Sequence, residues 1–330
     1  MKWIYRRLLI AFLSIFITVL LTFFLIRLMP GNPMDAFIQV LIRSGRARTR
    51  EEALQRAKSL MPLNMDDPLW KQLIDYVSGV LRGDLGRSIS SFTPVTDIII
   101  QSLPWTVFVS SFALAISFSI GTVLGLVLAY KRGSKFEGFS VATLTIFGAI
   151  PNYIMALILF YVFTVVYPIF PMRGAYDSTI KPGLTFDFIS SIFRHAILPI
   201  ASYVLTDFSG WALGIRAMAT TILGEDYITV AKARGLRGSR IVTSYVGRNS
   251  ILPQFTGLVL SIGFMFGGSP LVETIFTYPG IGRFFAAAVS ARDYPLLQGL
   301  FLMLSTTVIS ANLVADILYT RIDPRVRMGD

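Results

Sequence analysis

The sequence predicts an all-α, polytopic membrane protein with six membrane-spanning helices and a helical extracytoplasmic loop after the first. Three observations carry that prediction. Of 330 residues, 54% are apolar and only 15% charged, with a mean hydropathy of +0.64, whereas a soluble domain carries about 25% charged residues and a disordered chain is far less apolar. Six windows of about 20 residues, the length that crosses a hydrocarbon core, are nearly free of charge. Lys and Arg gather in the segments between alternate windows, the pattern expected of cytoplasmic loops. The chain has no Cys and one His, which removes disulfide frameworks, thiol catalysis and thiolate or multi-histidine metal sites. No cofactor, metal or catalytic residue is therefore predicted.

In chain order the windows are 8–28 with Arg27 at its far end, 104–130, 139–167, 196–215 with Asp207, 250–272, and 295–319 with Asp316. The first follows the basic start Met1-Lys2-Trp3-Ile4-Tyr5-Arg6-Arg7. Its apolar stretch is too long for a secretory signal and runs into Met29-Pro30-Gly31-Asn32-Pro33 without a small-residue cleavage site, so it reads as a retained anchor. Lys2, Arg6 and Arg7 precede it, Lys131, Arg132 and Lys135 follow the second window, Arg216 and five further basic residues lie in 216–248, and Arg321, Arg325 and Arg327 close the chain. The opposite loops are sparser, with Arg173, Lys181 and Arg194 in one and Arg283 and Arg292 in the other. Both termini are thus expected in the cytoplasm of a multi-pass cell-membrane protein. The expected organisation is 1–30 as N-terminus and first helix, 31–102 as extracytoplasmic loop, 103–319 as the membrane core with a cytoplasmic loop at 217–249, and 320–330 as cytoplasmic tail.

The 31–102 loop carries helix signals. Thr49-Arg50-Glu51-Glu52 fits a capping box ahead of Ala53, Leu54, Ala57 and Leu60, and Asp67-Pro68 fits a cap followed by proline at the first helical position. Leu69, Leu73, Tyr76, Val77 and Val80 then recur at helical spacing. A packing lid over the spans and a docking surface for a soluble partner both fit. Gly121 with Gly125, and Gly263 with Gly267, form small-x-x-x-small patterns that let helix backbones approach closely, within the chain or across a dimer.

Enzyme chemistry finds no support. The phosphate-binding pattern G-x-x-x-x-G-K-[ST] is absent, and Arg132-Gly133-Ser134-Lys135 does not match it. His195 has no carboxylate or histidine cluster nearby in sequence and reads as a capping or interfacial residue. Asp207 is different, because an ionisable residue within a span tends to face a bundle interior or a water-filled path. With Tyr203, Phe208 and Trp211 it either lines a passage or pairs with a neighbouring helix. Asp316, beside Asn312, reads as structural.

The most informative stretch is 226–253. Its first part suits a short exposed helix with small side chains at Ala231 and Ala233, and Gly235 ends that helix in a conformation other residues resist. Such a helix can enter another protein's groove. The basic residues Lys232, Arg234, Arg237 and Arg240 are explained by cytoplasmic retention of the loop, but the placement of Ala and Gly is not.

These residues resemble the cytoplasmic signature of the membrane-spanning subunits of ATP-binding-cassette importers, in particular the dipeptide, oligopeptide and nickel permease group. In the general form, E-A-A then three residues then G, the leading positions are Thr229, Val230 and Ala231 and the glycine is Gly235; two leading positions depart, and the later leucine-proline falls on Gly247 and Arg248. The peptide-permease form is matched by Tyr227, Ala233, Arg234, Gly235, Leu236, Arg248, Asn249 and Pro253. Further segments resemble the group in order and spacing: Arg27-Leu28-Met29-Pro30-Gly31-Asn32-Pro33, Gly83-Asp84-Leu85-Gly86-Arg87-Ser88, Tyr278-Pro279-Gly280-Ile281-Gly282-Arg283, Arg292-Asp293-Tyr294-Pro295 and Asp323-Pro324-Arg325.

The resemblance implies a type I importer transmembrane domain. Two six-helix subunits, usually a heterodimer of related permeases, form the passage; two ATP-binding subunits dock on the cytoplasmic side; an extracytoplasmic binding protein delivers solute; membrane lipid surrounds the spans. It implies coupling to the ATPase through Tyr227, Ala231, Ala233, Arg234, Gly235, Leu236 and Arg237. It implies oligopeptides or dipeptides as the solute, with oligosaccharides, whose rings the aromatic set near Asp207 would also suit, as the alternative and nickel after them. The competing class is a stand-alone secondary transporter or channel, for which only Pro151 within the third window and Asp207 speak. The net charge of +11, which alone would suit a nucleic-acid partner, is concentrated on the cytoplasmic side and so reads as topology.

Overall fold

The computed structural model describes residues 2–28, 33–60 and 67–322. The 29–32 and 323–325 parts of the motifs above, and Arg325 and Arg327 of the tail, lie outside them. The described residues are helical apart from connections and one isolated antiparallel bridge, Arg87 to Pro94. In order the helices are α1 (Lys2–Leu28), α2 (Pro33–Arg43), α3 (Arg50–Leu60), α4 (Leu69–Leu81), α5 (Val95–Tyr130), α6 (Lys135–Ala149), α7 (Asn152–Phe160), α8 (Phe186–Ile222), α9 (Asp226–Ala233), α10 (Gly238–Arg240), α11 (Arg248–Phe264), α12 (Pro270–Ile275), α13 (Ile281–Ala291) and α14 (Tyr294–Ile322). Five helical stretches are long and apolar enough to cross a membrane, and a bent pair makes a sixth.

That sixth crossing differs from the sequence expectation. The 139–167 window is not one straight helix: α6 and α7 meet at 90° around Pro151, and α7 continues into a π-helical turn, Tyr161–Val166. Proline disfavours helical backbone in the residue before it, and Ile150 is extended with ψ 119°. Hydropathy misses the bend because both arms are apolar. The second and fourth spans are also longer than their windows. α5 has 36 residues through Pro104, and α8 has 37 through the buried Pro199. At about 1.5 Å per residue each exceeds the ~30 Å hydrocarbon core.

The chain forms two compact units. The first comprises Met1–Thr106, Phe266–Pro270 and Pro279–Ile317. In it, the loop after α1 builds a small core of its own. α2, which the sequence reading did not foresee, contributes Met34, Phe37, Ile38 and Leu41, packed with Ala47, Ala53, Ala57 and Ile89. α3 starts as expected: the Thr49 hydroxyl accepts from the Glu52 N–H at 3.2 Å. The Glu52 carboxylate reaches back one residue further than the box predicts, to the Arg48 N–H at 2.9 Å. At α4 the expectation needs correction. Pro68 holds the cap position with no side-chain cap bond, and Asp67 pairs instead with Lys71 at 3.1 Å. Leu69 is exposed, while Tyr76 meets α1. A second core joins Val95, Ile98 and Ile99 of α5 to Ile281, Ala288, Leu296, Leu297 and Leu300. Asp316 pairs with Arg7 at 2.5 Å, tying α14 to α1.

The second unit comprises Val107–Met265, Leu271–Tyr278 and Leu318–Asp330. α8 is its spine, packed against α6, α7 and α11. Thr185 caps α8 by accepting from the Phe188 N–H at 3.3 Å, and the His195 ring sits 2.8 Å from the Ser191 carbonyl within the same helix. In the connection before α8, Asp177 accepts from the backbone N–H and hydroxyl of Thr179 at 3.0 and 2.9 Å, which hold its carboxyl below the usual carboxylate range.

Candidate functional site

α9 is eight residues long, too short to persist alone in water. Its neighbours hold it. Ile228 and Ala231 are buried with Ala129, Ala219, Ile241 and Val246, and Leu126, Ile222, Leu223 and Leu236 close over them. Asp226 in its first turn and Lys232 in its last suit the helix dipole. The end is a Schellman motif: the Gly235 N–H donates to the Lys232 carbonyl at 2.9 Å and the Leu236 N–H to the Ala231 carbonyl at 3.3 Å. Gly235 has φ +72° with nothing within 4 Å of where a Cβ would stand. Backbone conformation, not space, therefore selects glycine there.

This geometry divides the seven sequence-predicted coupling residues. Ala231 and Leu236 face inward as anchors. Tyr227, Ala233, Arg234, Gly235 and Arg237 are exposed, as are Thr229, Val230 and Lys232. Asn249 joins them by donating to the Tyr227 hydroxyl at 3.2 Å. Only three residues separate α8 from α9, so the C-terminal end of α8 sets where α9 sits.

Two residues that the sequence reading missed fix that end. Arg216 of α8 donates its Nε to Glu137 Oε1 at 2.8 Å and forms a second, shorter bond from a terminal guanidinium nitrogen to the same oxygen. The other oxygen, Oε2, accepts from the Gly133 N–H at 2.6 Å, and the Ser134 hydroxyl accepts from the Glu137 N–H at 3.2 Å. Ser134-Lys135-Phe136-Glu137 is itself a capping-box spacing, a signal that was available in the sequence. Nearby, a Cβ on Gly238 would come within 2.7 Å of the Tyr130 hydroxyl.

The predicted passage residues lie along α8. Asp207 is exposed and accepts from the Thr206 hydroxyl at 3.2 Å. Phe208 and Trp211 point into helix contacts, edge-on to Phe147 and Phe118 with centroids 6.4 and 5.0 Å apart; Tyr203 is half-buried. Gly121 and Gly125 of α5 face this stretch. A Cβ on Gly121 would stand 2.5 Å from Trp211 Cβ, and one on Gly125 2.5 Å from the Ala212 carbonyl oxygen. Gly263 is buried, and a Cβ on Gly267 would meet Leu304 at 2.8 Å.

In the first unit, two motif segments that are weak signals separately meet at one carboxylate. Asp293 is fully buried. It accepts from the Ser88 hydroxyl at 2.5 Å, the Ser90 hydroxyl at 2.7 Å, the Ser90 N–H at 2.9 Å and the Leu296 N–H at 3.3 Å. Arg292 before it takes a left-handed conformation, φ +53°. In the 83–88 turn, Gly83 and Gly86 have φ +77° and +81°, and Asp84 accepts from the Gly86 N–H at 2.9 Å.

The described residues thus form a helical, membrane-type core that carries one short anchored helix, α9, with a bare outer face. The chain belongs to the family of binding-protein-dependent transport system inner membrane components, whose pattern matches residues 121–328. It is 33% identical to the di/tripeptide transport system permease protein DppB of Pseudomonas aeruginosa, with 99% of each chain covered. It is 30% identical to the dipeptide transport system permease protein DppB of Escherichia coli, again over 99% of each, and 30% identical to the oligopeptide transport system permease protein AppB of Bacillus subtilis over 98% of each. The protein is thus a multi-pass membrane permease of a binding-protein-dependent transport system, and not itself an enzyme.

Proposed function

We propose that this chain is one half of the passage of an ATP-driven peptide importer and that α9 is the element that docks on a partner ATPase. The observation that carries the second part is the two-sidedness of α9: Ile228, Ala231 and Leu236 fasten it from one side while Tyr227, Val230, Ala233 and Arg234 stand bare on the other. Peptide as solute is supported by relatives named for di/tripeptide, dipeptide and oligopeptide transport along the whole chain, which favours it over oligosaccharides or nickel. A second, related permease completes the passage, and two ATP-binding subunits meet the α9 helices of the pair. The N- and C-termini lie on that same cytoplasmic side, and a solute-binding protein delivers from the other. Asp207, exposed on α8, lines the passage.

The test is reconstitution of the whole complex in proteoliposomes with its binding protein, following ATP hydrolysis and uptake of labelled peptides and oligosaccharides together. Gly235→Asp is expected to assemble normally yet hydrolyse ATP without peptide uptake, because Asp tolerates the left-handed conformation better than most residues while altering the docking face. Fully coupled uptake in that variant would sink the role of α9. Asp207→Asn is expected to reduce uptake with assembly unchanged; wild-type uptake would remove Asp207 from the passage.

A further inference from the structure

α4 carries three separate faces rather than the two of an ordinary amphipathic helix. Residues 100° apart in projection sort as follows. Tyr76, Val80 and Leu73 share one sector with Gln72 beside it; Tyr76 reaches α1, its ring 5.7 Å from that of Phe23 and its hydroxyl 3.4 Å from that of Thr22. Lys71, Asp75 and Ser78 form a polar sector. Between these lies a stripe of Trp70, Ile74, Val77 and Leu81, of which Trp70 is 65%, Ile74 59% and Leu81 82% exposed. An exposed apolar stripe of this length on an otherwise polar loop marks a contact surface.

We infer that this stripe rests in the membrane interface, with lipid as its partner. The contact with α1 sets its level. α1 runs on to Leu28 and its first charge after Arg7 is Arg27, so Thr22 and Phe23 lie within two turns of the outer end of its apolar stretch, close to where hydrocarbon gives way to headgroups. Lys71, Asp75 and Arg82 forbid deeper burial. The part of α1 that α4 meets is apolar and open as well: Leu21 and Phe24 are exposed beside the Phe23 that Tyr76 touches. Finally, the stripe runs the full length of α4 and begins with a tryptophan, the side chain enriched at membrane interfaces. A helix standing away from the membrane would bring only one end to lipid. One lying in the interface plane brings the whole stripe, with the polar sector to water and the third face on α1.

The chain has no cysteine, so single nitroxide labels can be read in the full complex in lipid nanodiscs. Labels on Ile74→Cys and Leu81→Cys are expected to be reached by oxygen more than by a water-soluble nickel chelate, and a label on Ser78→Cys to show the reverse ratio. Trp70, with Trp3, Trp105 and Trp211 replaced by Phe, is expected to lose fluorescence when the lipid carries bromine high on its acyl chains. Two results overturn the inference: nickel-chelate access at 74 and 81 equal to that at 78, which means water, or labels at 74 and 81 immobilised and reached by neither reagent, which means a protein partner. The tryptophan reading needs no cysteine variant, so a mislabelled or misfolded variant does not shelter the idea.

Discussion

The 83–94 turn that meets Asp293, with two glycines, four Ser or Thr and two charged residues, and the 225–237 segment around α9, with one glycine, one Thr and five charged residues, both carry motif residues and are built in opposite senses. Around Asp293 the polar groups turn inward: two serine hydroxyls and two backbone N–H groups converge on one buried carboxylate. Around α9, Ile228, Ala231 and Leu236 turn inward, and the charges stay exposed together with Tyr227, Val230 and Ala233. In the first region the distinctive residues hold the chain to itself. In the second, an equally distinctive set leaves an outer face bare. Motif density alone therefore does not separate a clasp from an open face; the direction in which the polar groups point does.

Substitutions should separate the two senses. The largest effect belongs to Asp293→Ala, which leaves the groups that Asp293 accepts from without that partner, at about 1–3 kcal/mol for each buried group that finds no other; folded protein in the membrane should fall sharply and uptake with it. A normal level and melting temperature would mean that the clasp is not what holds this turn. Next comes Arg216→Met, which strips the Glu137 carboxylate of its guanidinium. Arg216 is partly exposed, so the loss of stability should be well below that of a fully buried pair, with α9 loosened and ATP hydrolysis less tightly tied to uptake. If proteolysis within 223–237 is no faster in this variant, the pair does not position α9. Tyr227→Phe, at an exposed bond to Asn249, should change stability by under ~1 kcal/mol; a loss of coupling without a loss of stability would mark the hydroxyl as part of the docking face. Smallest is an effect of pH. Because the folded state holds the Asp177 carboxyl below its usual range, its contribution is present above the ordinary carboxylate pKa and is lost as pH falls through the lowered one. Amide exchange at Thr179 should therefore stay slow until the medium is more acidic than ordinary carboxylate titration requires, and acceleration at the ordinary value would contradict the turn.

What sequence made legible follows from the range of the physics involved. The spans are written in runs of apolar residues, and the end of α9 in a single Gly235, because burial in a membrane and left-handed backbone act locally. The kink at Pro151 was visible as a residue but not as a 90° bend, since hydropathy does not register direction. α2 was missed although Met34, Phe37, Ile38 and Leu41 have helical spacing, and its core partners come from other segments. The Asp293 clasp joins residues 203 and 205 positions apart, and nothing near Ser88 or Asp293 in the chain signals the other. Glu137 had a local signal in Ser134, but its long-range bond to Arg216 had none.

One consequence of α8 remains. Pro199 withholds a backbone N–H from the helix and loosens it at that level, while the 23 residues from 200 to 222 continue without another proline to the short connection into α9. Asp207 rides on that uninterrupted part. On the docking role proposed for α9, a tilt given to it would reach Asp207 along this stretch as by a connecting rod, with the joint at Pro199 on the far side of the carboxylate.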